Sequence, residues 1–118
     1  MITHPTAEEL VRAVAEWIDQ IRPQLDPRNQ FMARVAANAL GTVGRELTEG
    51  PAAEAEALCL LRDLLGHDGD FETLNTELCD RIRTGGLTVD TPGLLDALRT
   101  MAAAQLAIDQ PTYRSELK

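Results

Sequence analysis

The chain has 118 residues, enough for one domain with a modest core, and its balance of 44% hydrophobic and 25% charged residues is that of an ordinary soluble globular protein. A formal net charge of −8 argues against general nucleic-acid binding, which needs Lys and Arg to neutralise phosphates, and against docking on anionic membranes. Aromatic residues make up only 3%, so 17 Leu and 16 Ala, both strong helix formers, must build the core.

The first helix is expected to open at Thr6-Ala-Glu-Glu9, a Thr-x-x-Glu capping box, and to stop near Arg22 because Pro23 follows. Leu10, Val14, Trp17, Ile18, Ile21 and Leu25 recur at steps of three and four and make one apolar face, while Glu8, Arg12 and Glu16 stack on the other side. Asp26-Pro27 opens a second helix to about Leu47, with Asp26 as cap and Pro27 at the first helical position. Its apolar positions are Phe31, Val35, Ala39, Leu40, Val43 and Leu47. Ala37, Gly41 and Gly44 form a nearly side-chain-free strip, which predicts close approach of a neighbouring backbone and a central place for this helix.

Gly50-Pro51 restarts the chain. A third helix carries Ala57, Leu58, Leu61, Leu64 and Leu65 and stops at Gly66. After the turn His67-Asp-Gly-Asp70, a fourth helix capped by Asp70 bears Phe71, Leu74, Leu78 and Ile82 and ends at Gly85-Gly86. Leu87-Thr-Val89 reads as short and extended. Thr91-Pro92 opens a fifth helix with Leu94, Leu95, Leu98, Met101, Ala102, Leu106 and Ile108, and Pro111 ends it, leaving a tail from about residue 110. No strand-like alternation, internal repeat or low-complexity linker is present. The expectation is an all-α single domain over residues 1–118, a compact bundle of about five helices without a sheet.

Much chemistry is missing. The only Ser is Ser115 and the only Lys is Lys118, both in the tail, which leaves no held serine nucleophile and no buried lysine. His4 and His67 sit in turn-like surroundings, and no His-x-x-x-His, Cys-x-x-Cys or Gly-rich phosphate loop occurs. No cofactor and no catalytic residue is implied, and an enzyme acting alone ranks below binding and interaction roles. No apolar run is long enough for a membrane span, and Met1 to Pro5 lacks the basic and apolar regions of a signal peptide, so a cytoplasmic location is expected. Cys59 and Cys79 are then reduced thiols. The short loop from Gly66 to Asp70 sets them at about the same height in an antiparallel hairpin, where both flank the apolar stripe and are expected to be buried near each other.

One polar row stands out. Arg34, Asn38, Thr42 and Arg45 punctuate the second helix at steps of three and four. Two guanidinium groups and an amide can grip a carboxylate or phosphate. The same row also suits a plain solvent face, or a partly buried network bonded to neighbouring helices; the network reading expects at least two of Arg34, Asn38 and Arg45 to bond outside their own helix. The acidic turn from His67 to Glu72 fails the calcium-loop pattern, since Thr73 stands where Gly is needed, and reads as a capped turn. Arg81-x-Arg83 suits a helix C-terminus. Tyr113 either folds back or serves as an exposed anchor. Residues 101–108, with Gln105 as the one polar side chain, suggest a buried end or a homodimer unless the tail covers it.

Thr6-Ala-Glu-Glu-Leu10, Phe31 to Glu46, Asn75-Thr-Glu-Leu-Cys79 with Arg81-Ile-Arg83, and Leu106 to Pro111 with Tyr113 form one set over nearly the whole chain. Together they resemble a small bacterial all-helical family of unknown function, found alone or alongside aminoglycoside-phosphotransferase-like kinase domains and near acyl-CoA dehydrogenases. The resemblance names no catalytic motif; its recurring polar positions fall on Arg34, Asn38, Arg45 and Glu46. It implies a non-catalytic accessory or interaction module for a kinase-like or acyl-CoA-processing partner. The alternative is a small anionic-ligand-binding protein, taking phosphate, carboxylate or acyl-CoA through Arg34, Asn38 and Arg45.

Overall fold

The computed structural model describes residues 3–112. Tyr113, Ser115 and Lys118 lie outside the described residues. Among the described residues, four α-helices and one 3-10 turn account for the regular structure: α1 (Ala7–Ile21), the turn Arg22–Gln24, α2 (Pro27–Leu65), α3 (Phe71–Thr84) and α4 (Leu94–Asp109). No strand occurs among the described residues. The all-α class is thus observed, with four helices rather than about five.

The missing break is at Gly50-Pro51. The segments expected as second and third helices are one 39-residue helix with Pro51 inside it. A Gly ends a helix by turning left-handed, as Gly66 and Gly85 do at the ends of α2 and α3, and Gly50 has no such positive φ. Helix formers on both sides, from Glu46-Leu47 to Ala52-Ala53-Glu54-Ala55, carry the helix through the proline.

The chain divides into two compact units, and the division falls at that same step. The first holds the described residues up to Gly50 together with Ile108–Gln110; the second holds Pro51–Ala107 with Pro111 and Thr112.

In the first unit, α1 starts as the sequence dictates. Thr6 Oγ1 accepts from the Glu9 amide at 3.2 Å, and Glu9 Oε1 accepts from the Thr6 amide at 3.1 Å. The bond from the Thr6 amide first, then the Thr6 hydroxyl and His4, hold the Glu9 carboxyl below its usual pKa. Arg12 and Glu8 pair one turn apart. At the start of α2 the Asp26 carbonyl accepts from the Gln30 amide at 2.8 Å, while the Asp26 carboxylate accepts from the Asn29 side chain at 2.6 Å. The hairpin of α1 and the first half of α2 closes through Val11, whose Cγ1 lies 3.8 Å from where a Cβ on Gly44 would stand. The small-residue strip therefore meets side chains, not a neighbouring backbone: the other close atom is Arg45 Nη1, 3.3 Å from a Cβ on Gly41. Ile108 is the buried large side chain of this unit.

The second unit holds a true core. Leu61, Leu65, Leu74, Leu78, Leu87 and Leu94 are buried together, with Leu58, Leu64, Phe71, Leu98 and Met101 packed against them. Asp70 caps α3, accepting from the Thr73 amide at 2.8 Å, which holds its carboxyl below the usual range. Leu87-Thr-Val89 is not extended: Thr88 and Thr91 close a turn through Thr91 N to Thr88 O at 2.9 Å and Thr88 N to Thr91 Oγ1 at 2.9 Å. That turn delivers Leu87 and Leu94 to the core. Along residues 101–108 the exposed side chains are Ala102, Ala103, Gln105 and Ala107, while Met101 and Leu106 are half-buried.

Candidate functional site

The first unit contains a groove of about 440 Å³ between α1 and α2. Its floor is apolar and small: Val11, Ala15, Leu40, Gly41 and Gly44. Its rim is polar: Glu8 and Arg12 from α1, and Arg45, Thr48 and Glu49 from α2. The two glycines open it, because a side chain at either position would fill the space over the helix. The rim brings two cations and two anions together, so it carries no net charge.

Arg45 is the one member of the predicted row that reaches the groove. Its Nε donates to the Ile108 carbonyl at 2.7 Å and its Nη2 to Thr42 Oγ1 at 3.2 Å. The first bond satisfies a carbonyl at the end of α4 that has no intrahelical partner. Arg34 and Asn38 are exposed, and neither side chain has a partner among the described residues. Glu46 is exposed as well, and its carboxylate lies over the bare Cα of Gly50. The expected network of at least two bonded side chains is therefore reduced to Arg45. Arg34 and Asn38 precede Arg45 by three and two turns, and the Ile108 carbonyl is bonded at the height of Arg45.

The sequence missed Glu8, Arg12, Thr48 and Glu49 as groove residues. Glu8 and Arg12 were legible only as a helix-surface pair, because nothing local says which residues of α2 they face.

A second polar cluster lies in the second unit. His67 Nε2 meets Glu77 Oε1 at 2.7 Å, and His67 Nδ1 meets the Asp68 carbonyl at 2.9 Å. Arg81 Nη2 reaches the other Glu77 oxygen at 2.7 Å, an ion pair whose angle falls outside hydrogen-bond geometry. Both imidazole nitrogens face acceptors. The bond to the Asp68 carbonyl first, and the Glu77 carboxylate second, raise the His67 pKa above its usual value. Arg83 pairs with Asp80 in the same last turn of α3. This cluster ties the turn after α2 to α3. Among the described residues no three His, Cys, Asp or Glu side chains are arranged to hold a metal ion.

The family model for DUF6285, a domain of unknown function, matches residues 23–113. The chain belongs to the DUF6285 family. Neither a curated protein nor a solved structure matches it. The DUF6285 match begins at the 3-10 turn, so it takes in α2, α3 and α4, while α1 with Glu8, Arg12 and the floor residues Val11 and Ala15 lies outside the matched residues. No helix among the described residues is long and apolar enough to cross a membrane.

Cys59 and Cys79 of this DUF6285 chain are free thiols, and both are exposed, contrary to the expected burial. Each sits next to a stripe leucine, and one residue along a helix is a rotation of about 100°, enough to leave the core. Leu58 and Leu78 face inward; the cysteines after them do not.

Most of the exposed large apolar side chains among the described residues are also in the first unit. Leu10, Val14 and Trp17 on α1 and Phe31, Met32, Val35, Val43 and Leu47 on α2 all stand in solvent. At about 100° per residue, Leu10, Val14 and Trp17 lie on the side of Val11 away from Glu8 and Arg12. Phe31, Val35, Val43 and Leu47 lie on one ridge of four-residue steps that starts on the outer side of α2, opposite Gly44, and winds to the side of Leu40 away from Arg45. In an antiparallel hairpin the α1 strip and the Val43 and Leu47 end of the ridge fall on one side, the groove falls on the other, and Phe31 and Val35 stand on the outer edge of α2.

Proposed function

We propose that this chain is a non-catalytic helical interaction module whose working surface is the apolar side of the α1–α2 hairpin. One observation carries the reading: eight large apolar side chains are exposed there, while the second unit gathers six buried leucines in one core and exposes only Ile82, Val89 and Leu95 among its described large apolar side chains. Isolated surface leucines need no explanation, but a contiguous patch of this kind marks an interaction site. Photo-cross-linking in the native cell tests it, with a benzophenone amino acid in place of Phe31 and a control at exposed Leu95 on α4. Adducts to a polypeptide are expected from position 31 and not from position 95; their absence from both overturns the reading. A kinase-like phosphotransferase or an acyl-CoA dehydrogenase as that polypeptide rests on the family resemblance alone.

A second reading takes the groove as the site of a small ligand with an anionic group held by Arg45. Its support is the groove volume beside a fixed guanidinium. Arg34, Asn38 and Glu46 enter this reading only as residues that a ligand extending along α2 would meet. Thermal-shift measurements with phosphate, simple carboxylates and acyl-CoA test it: a shift lost in Arg45→Gln is expected, and no shift with any of the three contradicts it.

A further inference from the structure

We infer that the occupant of the apolar side of the hairpin is a second copy of this chain, paired about a two-fold axis so that two α1–α2 hairpins form a four-helix interface; this rests on the interaction reading above. The area is the first argument. The eight side chains are between 42% and 62% exposed. With full areas of about 150–250 Å² for the larger of them, they leave on the order of 700–800 Å² uncovered. A specific stable interface removes about 800 Å² from each partner, and an ordinary monomer leaves patches of only about 300–600 Å². One copy of the face thus has the extent that a dimer of such faces requires.

Charge is the second argument. Each copy carries −8, so two copies meet without repulsion only through a surface free of carboxylates. The middle of the face is such a surface, with Glu46 and Glu49 only toward its Leu47 end. Between Leu10 and Trp17 its α1 strip adds only Ala13, and between Phe31 and Val43 its α2 ridge adds Ala36, Ala39 and Thr42, none of them charged. A charged partner finds no counter-charge along that middle stretch.

The ends of the α2 ridge complete the case. Phe31, Val35, Ala39, Val43 and Leu47 are centred on Ala39, the smallest of the five. A two-fold axis near Ala39, with the ridges running antiparallel, sets Phe31 of one copy against Leu47 of the other and Val35 against Val43, and lets the helices approach most closely where the side chain is shortest. The same register brings exposed Arg28 of one copy to the end that carries exposed Glu46 and Glu49 of the other. Closed two-fold pairing requires this self-complementarity.

Sedimentation velocity on the full chain, from low to high micromolar concentration, tests the inference. The wild type is expected at twice the chain mass. Val35→Glu sets two carboxylates into the interface and is expected to halve that mass with an unchanged helical circular-dichroism spectrum, while Leu95→Glu on α4 stays dimeric. Should Val35→Glu fail to fold, Phe31→p-benzoylphenylalanine in purified protein replaces it, with a covalent dimer expected on irradiation. A wild type that stays monomeric at high micromolar concentration, or a Val35→Glu dimer as stable as the wild type, overturns the second-copy inference. If the monomeric wild type is captured in cells through position 31 by a different polypeptide, the inference falls and the interaction reading stands; if nothing is captured, both fall.

Discussion

Replacing Pro51 by Ala tests the least expected feature of the fold, a helix that runs through a Gly-Pro step. Pro51 has no N–H to give the Leu47 carbonyl, and its ring crowds that carbonyl. In a helix interior Pro is about 3 kcal/mol less favourable than Ala. Removing it also frees the unfolded chain, which offsets roughly 0.4–1 kcal/mol. The net expectation is a gain of about 2 kcal/mol. At roughly 4 °C per kcal/mol for a chain of this size, the midpoint rises by about 8 °C. Gly50→Ala acts in the same direction by about 1 kcal/mol. Its new Cβ would stand 2.9 Å from Glu46 Oε1, the far end of a flexible side chain that swings away. Pro27→Ala is the control, since Pro27 occupies the first position of α2, where a missing N–H has no helical partner. Urea and thermal unfolding followed at the helical circular-dichroism band give the numbers. If Pro51→Ala is as neutral as Pro27→Ala, or destabilising, then the helix stops at Gly50 and the continuous α2 is wrong.

Leu74 is fully buried in the second unit, so Leu74→Ala is expected to remove about 2–5 kcal/mol in urea unfolding, against about 0.5 kcal/mol or less for exposed Leu95→Ala. Thr6→Ala breaks the capping box and lowers stability by about 1 kcal/mol, a loss that thermal unfolding resolves. The folded-state pKa of His67 is raised, so its contribution is complete below the ordinary value of 6.5 and is lost as pH rises through the folded value; in His67→Gln that stretch of the stability–pH curve, measured by thermal unfolding, flattens. The folded-state pKa of Asp70 is lowered, so its contribution is present above the ordinary value of 3.8 and fades as pH falls through the folded value, a fade absent from Asp70→Ala. Both cysteines of native protein are expected to react promptly and completely with a thiol reagent, and slow reaction of either contradicts their exposure.

Local signals were legible where local physics decides. Thr6 and Asp70 bond the amides of their own first turns, and Gly66 and Gly85 turn left-handed where a helix must end. The core leucines of the second unit follow directly from the period of the chain. Gly50-Pro51 misled because its local reading is a stop, while the balance of helix formers around it sets the outcome. The cysteines misled because height along a hairpin says nothing of rotation about each helix. The polar row was half legible. Helical spacing correctly placed Arg34, Asn38 and Arg45 along one side of α2, but which of them finds a partner depends on where the end of α4 returns, and Ile108 is 63 residues from Arg45 in sequence. The groove was not legible, since it needs α1 and α2 together. The apolar face was visible as periodicity, yet period alone reads as core whether or not anything covers it.

Trp17 is the one tryptophan, and it stands on that face at 58% exposure, so its fluorescence tests the central claim most directly. Acrylamide quenching of native wild-type protein is measured across a dilution series. The account predicts that Trp17 is shielded and its emission blue-shifted at high concentration, and that both effects vanish on dilution and in Val35→Glu. A Trp17 that is equally quenchable and equally red-emitting at every concentration contradicts it.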